Sequence, residues 1–195
     1  MTAAKKFVTH VRWAYVAKLF SASLALPLYI ILAKGLGRDR FGLFALTLSL
    51  LVFVRILSGS GLGPSTGKHI SNLKGDDQKL MPQFLAAGFW VQMISAGFFA
   101  ILVWLFSSKI ANVFGDETLA PALQVGAIIL VFFATVEFSK AALQGLQRFD
   151  ILAAITGVEF AGKLLFSAGL TLAGYGLIGA LDGFALALAL ASLVA

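Results

Sequence analysis

Uninterrupted apolar stretches of about 20 residues recur along this chain, and about 20 residues is the length an α-helix needs to cross the hydrocarbon core of a bilayer. Six such stretches are found: Trp13 to Ala33, Phe41 to Gly61, Gln83 to Phe106, Pro121 to Leu143, Ile151 to Ala173, and Leu177 to the end. Within them apolar and polar residues do not alternate, so the pattern of a membrane β-barrel is missing. Backbone groups in lipid must be satisfied inside their own segment, which makes each stretch a helix. The expected fold is therefore an all-α integral membrane protein of about six transmembrane helices, with residues 1–195 as a single transmembrane domain.

Composition agrees: 59% of the residues are hydrophobic and 12% charged, whereas a soluble domain carries about a quarter charged residues. The formal net charge of +6 would suggest nucleic acid in a soluble protein. Here the bases lie mostly between the spans, where they act as topology signals and meet lipid headgroups, so membrane lipids are the expected partners and nucleic acid is not. Cysteine is absent and His10 and His69 are the only histidines. No disulfide framework, thiol nucleophile or Cys/His metal site can be built, and no cofactor is expected.

Lys5, Lys6 and Arg12 precede the first apolar run as they would in a secretory signal. That run is long, contains Lys18 and ends in Lys34-Gly-Leu-Gly-Arg38 without a small-residue cleavage pattern, so it is expected to be retained. With the N-terminus in the cytoplasm, the inner segments hold Lys5, Lys6, Arg12, Lys68, Lys74, Lys79 and Arg148, and the outer ones hold Lys34, Arg38, Arg40 and Lys109. Seven against four favours that orientation. The run Phe184 to Ala195 is apolar with no basic residue to anchor an exit, which leads to the expectation that the chain is cut short or ends unusually.

Two glycine-rich pieces need weighing. Gly63-Pro-Ser-Thr-Gly67-Lys68-His69 is one residue short of a phosphate-binding loop and has His69 where the magnesium-binding hydroxyl belongs. Gly59-Ser-Gly-Leu-Gly63 reads as a flexible helix exit. Neither predicts a nucleotide site.

Seven ionisable residues fall inside the spans: Lys18, Arg55, Glu137, Lys140, Glu159, Lys163 and Asp182. A charge at the centre of a membrane helix costs about 2.5–3.5 kcal/mol even on the mildest scale, so such residues face a cavity or a partner. Glu137 and Lys140 are three apart, and Glu159 and Lys163 four apart, each pair on one helix face. Two readings stay open for these pairs: self-neutralising insertion, or a charged lining of a transport path. For Lys18, Lys140 and Asp182, snorkelling to the interface is a further alternative. Gly88, Gly97, Gly126, Gly157, Gly162 and Gly169 are expected to serve close helix packing, and Pro27 to bend the first span.

Three segments resemble a known family. Leu36-Gly-Arg-Asp-Arg-Phe41-Gly-Leu-Phe44 is similar to an L-G-x-x-x-[FY]-G-x-[FY] stretch, Gly61-Leu-Gly63 begins a basic polar segment after the second span, and Ala142-Leu-Gln-Gly145-Leu-Gln147-Arg148-Phe149 is similar to an L-x-G-x-[QE]-[RK]-[FY] turn. Their order and placement, over roughly residues 7 to 160, resemble the polysaccharide exporters, O-antigen flippases included, of the multidrug/oligosaccharidyl-lipid/polysaccharide superfamily. Ser58 and Ser60 stand where an acidic residue is frequent in that family, so no role for that acid carries over.

The resemblance implies one lobe of a two-lobed flippase of about 12 to 14 helices, with a C-terminal lobe missing from this chain. It also implies a prokaryotic cytoplasmic-membrane protein, not an enzyme, that exports an undecaprenyl-pyrophosphate-linked oligosaccharide by alternating access. Lys18 and Arg55, at similar cytoplasmic depth in the first two spans, are the expected contacts of the pyrophosphate, Arg through its planar fork and Lys as a point charge. Glu159 and Lys163 are expected to line the substrate path, and Glu137 and Asp182 are candidates for ion or proton coupling. Two alternatives remain at this point: a cation-coupled multidrug exporter of the same superfamily, and a non-transporting membrane scaffold.

Overall fold

The computed structural model describes residues 3–59, 62–72 and 79–195, with side chains 3–22 and several in 62–72 outside the description. Among the described residues every regular element is a helix. In chain order these are α1 (Ala3–Leu57), α2 (Leu62–Asn72), α3 (Met81–Phe114), α4 (Leu119–Gly145), α5 (Phe149–Gly162), α6 (Ala168–Leu170) and α7 (Gly176–Val194). Two π-helical segments, Lys163–Ser167 and Thr171–Tyr175, join α5, α6 and α7 into one continuous path. The protein is an all-α membrane protein: four helical runs are long and apolar enough to span a bilayer, namely Ser23–Leu57, Met81–Phe114, Leu119–Gly145 and Phe149–Val194.

Four runs, not six, meet that test because the expected first and second spans share α1, and the expected fifth and sixth share the run from Phe149 to Val194. Both runs are broken internally. Gly37 (φ 74°, ψ 173°) interrupts α1, and Gly174 (φ 91°) and Gly176 (φ 60°, ψ −143°) interrupt the last run. The backbone at Gly37 and Gly176 lies in a region open essentially to glycine alone. The two breaks are neighbours. A methyl group on Gly35 would lie 2.8 Å from Thr171 Cγ2, and one on Gly176 would lie 3.0 Å from Arg40 Nη1.

The core is built where two apolar faces meet. Leu28, Leu32 and Leu36 before the Gly37 break, and Phe44, Thr47 and Leu51 after it, are buried, each at the three-to-four-residue interval of one helix face. They pack against α4, through Leu119, Leu123 and Leu130, and α7, through Leu181, Phe184 and Leu188. α3 is the outer helix of the group. Its Trp90, Ile94, Phe98, Ile101 and Leu105 are exposed, as suits a lipid-facing surface in which apolar side chains have no reason to hide.

Two boundaries differ from expectation for local reasons. α3 continues two turns beyond Phe106 and stops where Gly115 adopts a left-handed conformation, with the Asp116 amide donating to Ala111 O. α4 stops at a similar cap in which Gln147 (φ 58°) takes the left-handed position. The Gln147 amide donates to Gln144 O and the Arg148 amide to Leu143 O, the paired bonds of a Schellman motif. The basic polar segment that begins at Gly61-Leu-Gly63 contains a helix, α2, so the Gly63 to Lys68 segment is not a phosphate-binding loop. Gly63 and Gly67, one turn apart on α2, rest on Ala141 and Gly145, one turn apart on α4.

Candidate functional site

α4 carries Phe133, Glu137 and Lys140 along one side, and α5 brings Glu159 against them. Glu159 is 3% exposed and accepts hydrogen bonds from two ammonium groups, Lys140 of α4 and Lys163, four residues further along its own helix. Lys140 also lies 3.3 Å from Glu137 Oε1. Four side chains thus form one chain of ion pairs, Glu137, Lys140, Glu159 and Lys163, formally neutral as a whole. Buried charges require such pairing, because an isolated one would strand several kcal/mol of lost hydration.

Lys163 opens the first π segment. Its Nζ lies 5.2 Å from the ring centroids of Phe160 and Phe184 and 5.8 Å from that of Phe133, so three aromatic faces and one carboxylate surround the ammonium. The π turns are anchored by hydroxyls. Ser167 donates across to Ala180 O on α7 at 2.7 Å, and Thr171 donates to Ser167 O at 2.7 Å. Such widened turns in an α-helix are frequent at functional sites.

Arg55, near the end of α1, stacks over Phe133 with its Cζ 4.6 Å from the centroid. Phe133 therefore borders two cations, Arg55 and Lys163. Among the described residues Arg55 has no carboxylate partner, and its Nε is buried without a hydrogen-bond acceptor. One turn on, the Ser58 hydroxyl donates to Arg55 O at 2.9 Å and Ser95 of α3 donates to Ser58 O at 2.7 Å, which ties this end of α1 to α3.

Of the expected site residues, Arg55, Glu137, Glu159 and Lys163 are gathered around Phe133 and Lys140. Asp182 stands apart on α7, half-buried and without an ion pair among the described residues. Lys18 is on α1, and its side chain lies outside the described ones. Spacing within a helix exposed the two ion pairs, but nothing in the linear sequence indicated that Lys140 crosses from α4 to Glu159, nor that Phe133 joins Arg55 to Lys163. Among the described residues no group of His, Asp or Glu is placed to hold a metal ion.

Two grooves lie on the α3–α4 face, and neither is lined by a member of the charged cluster. One of about 480 Å³ is lined by Leu85, Phe89, Trp90 and Phe138, and a wholly apolar one of about 380 Å³ by Ala100, Trp104, Ala127 and Phe132.

No curated protein and no solved structure matches the chain. A family model described as polysaccharide biosynthesis protein matches residues 31–195, a range that takes in Arg55, Phe133 and all four members of the ion-pair chain. The chain belongs to that polysaccharide biosynthesis protein family.

Proposed function

We propose that the chain is one lobe of a flippase that carries a lipid-linked oligosaccharide, of the undecaprenyl-pyrophosphate class, across the cytoplasmic membrane by alternating access. The observation that carries this reading is Arg55, a cation that has no carboxylate partner among the described residues, in a helix long enough to span a bilayer and beside a cluster that is already neutral. Such a cation calls for an anion, and a pyrophosphate head group offers oxygens that a guanidinium fork can bind in pairs. Lys18, placed by sequence spacing at similar depth, is the second contact. The lipid tail stays in the bilayer while the sugar crosses, and no bond is made or broken.

In this reading Gly37 and Gly174 to Gly176 are hairpin turns, so the two long runs cross the membrane twice each and the lobe has six crossings with its N-terminus inside. A second lobe completes the path. Asp182, which has no ion pair among the described residues, and Glu137, the most exposed carboxylate of the ion-pair chain, are the carboxylates left to couple the cycle to a proton or cation gradient. A cationic drug would meet Arg55 with repulsion, which sets this reading against multidrug export.

The test is a reconstituted-vesicle assay with the full-length protein, comparing translocation of a fluorescent lipid-linked sugar with efflux of a cationic dye. Translocation of the sugar and not the dye is the expected result. Dye efflux alone would support drug export, and neither activity would leave a scaffold.

A further inference from the structure

The Lys140–Glu159 contact differs from the other two in the ion-pair chain because it alone joins two helices. Lys163 is fenced by three rings and Glu159 is nearly inaccessible. The Lys140 side chain is 18% exposed and that of its second partner, Glu137, 46%. Breaking the contact between Lys140 and Glu159 leaves Glu137 with Lys140 on α4, and Glu159 with Lys163 on the α5 path. Each remaining pair is neutral, so the heavy penalty for stranding one member of a buried ion pair does not arise. Apart from the short turn Leu146 to Arg148 that links them, α4 and α5 pack more on other helices than on each other: α5 mainly on α1 and α7, and α4 mainly on α3, α2 and α7.

We infer that the Lys140–Glu159 contact is a latch between α4 and α5, released when a phosphate-bearing anion competes with the Glu159 carboxylate for Lys140. An ammonium on a flexible stem can turn from one acceptor to another without a fixed geometry, and the released Glu159 is already neutralised by Lys163. The nature of the anion rests on the flippase reading above; the latch itself rests on the ion-pair geometry.

Ile155 offers the measurement. It is wholly buried and lies one turn before Glu159 on the same face of α5, and the chain has no native cysteine. In full-length protein carrying Ile155→Cys, reconstituted in vesicles, a small membrane-permeant methanethiosulfonate should label slowly. Adding Lys140→Met should accelerate labelling several-fold and Lys140→Arg should not. Inorganic pyrophosphate should accelerate labelling when Lys140 is present and have no further effect in the Met variant. Amide hydrogen exchange over residues 150–162 of the protein with Ile155 intact gives the same readout should the Ile155 variant fold poorly. Equal labelling and exchange with Lys140 and Met would overturn the latch. Acceleration by Met but not by pyrophosphate would overturn its release by an anion. Translocation measured on the same preparations separates the two proposals, since a pyrophosphate response without sugar translocation supports the latch while refuting the flippase reading.

Discussion

Gly67 of α2 and Gly145 of α4 meet backbone to backbone. A methyl group on Gly145 would lie 2.8 Å from Gly67 Cα and closer still to its carbonyl oxygen, and one on Gly67 would lie 2.5 Å from Ala141 O. Small residues at a helix crossing let main chains approach in this way, which in lipid replaces the hydrophobic drive that water supplies elsewhere. The contact seats the short helix α2 against the C-terminal end of α4, next to the Gln147 cap.

Gly67→Ala and Gly145→Ala should each lower stability, by about 1–3 kcal/mol, the usual range for overpacking. Gly97→Ala is the control, because nothing lies within 4 Å of its added methyl group, and it should gain roughly 0.5–1 kcal/mol from reduced backbone freedom in a helix. Thermal unfolding of the detergent-solubilised variants measures all three. Equal melting temperatures for the three would refute the close contact.

The ion-pair chain predicts an order of damage. Glu159→Gln leaves Lys140 with Glu137 but strands Lys163 without a carboxylate, and should cost about 3–5 kcal/mol, as removal of one buried partner does. Lys163→Met should cost less, since Lys140 still neutralises Glu159. The double variant Glu159→Gln/Lys163→Met restores balance and should melt above Glu159→Gln alone; a double variant that melts lower would show that the pairing is not what matters.

Arg55 separates charge from shape. In the translocation assay, Arg55→Lys should lose much of the activity because the charge survives but the planar fork does not. Arg55→Ala should lose nearly all of it. Membrane insertion is checked in parallel by protease protection, and parental rates in two well-inserted variants would reduce Arg55 to a membrane anchor.

Gln147 occupies a left-handed backbone position that costs most side chains about 1–2 kcal/mol. Gln147→Gly should relieve part of this and raise the melting temperature, offset in part by the greater freedom glycine gives the unfolded chain. Gln147→Val, β-branched, should lower it. If valine is tolerated as well as glycine, the cap is not under the strain its φ implies.

Single cysteines test the crossings. With the glycine breaks acting as turns, cysteines at Arg38 and Tyr175, both exposed, should react with an impermeant maleimide added outside intact cells, and a cysteine at Gln147 only after permeabilisation. Reaction of Gln147 alone would reverse the orientation. Opposite sides for Arg38 and Tyr175 would rule out paired turns.

Long continuous apolar runs were enough to establish lipid as the solvent and helix as the element, because a backbone in hydrocarbon has so few ways to satisfy itself. Residue spacing alone also paired Glu137 with Lys140 and Glu159 with Lys163, since helical contacts at three and four residues are local. The helix α2 was not legible: its glycines and proline lower local propensity, and its stability comes from a crossing with α4, more than 70 residues away in the chain. Nor was the bridge from Lys140 to Glu159, or the shared Phe133 ring beneath Arg55 and Lys163. Those contacts join different helices, and which faces meet is decided by packing, by small residues that allow close approach and by buried charges that must find partners wherever the fold brings them.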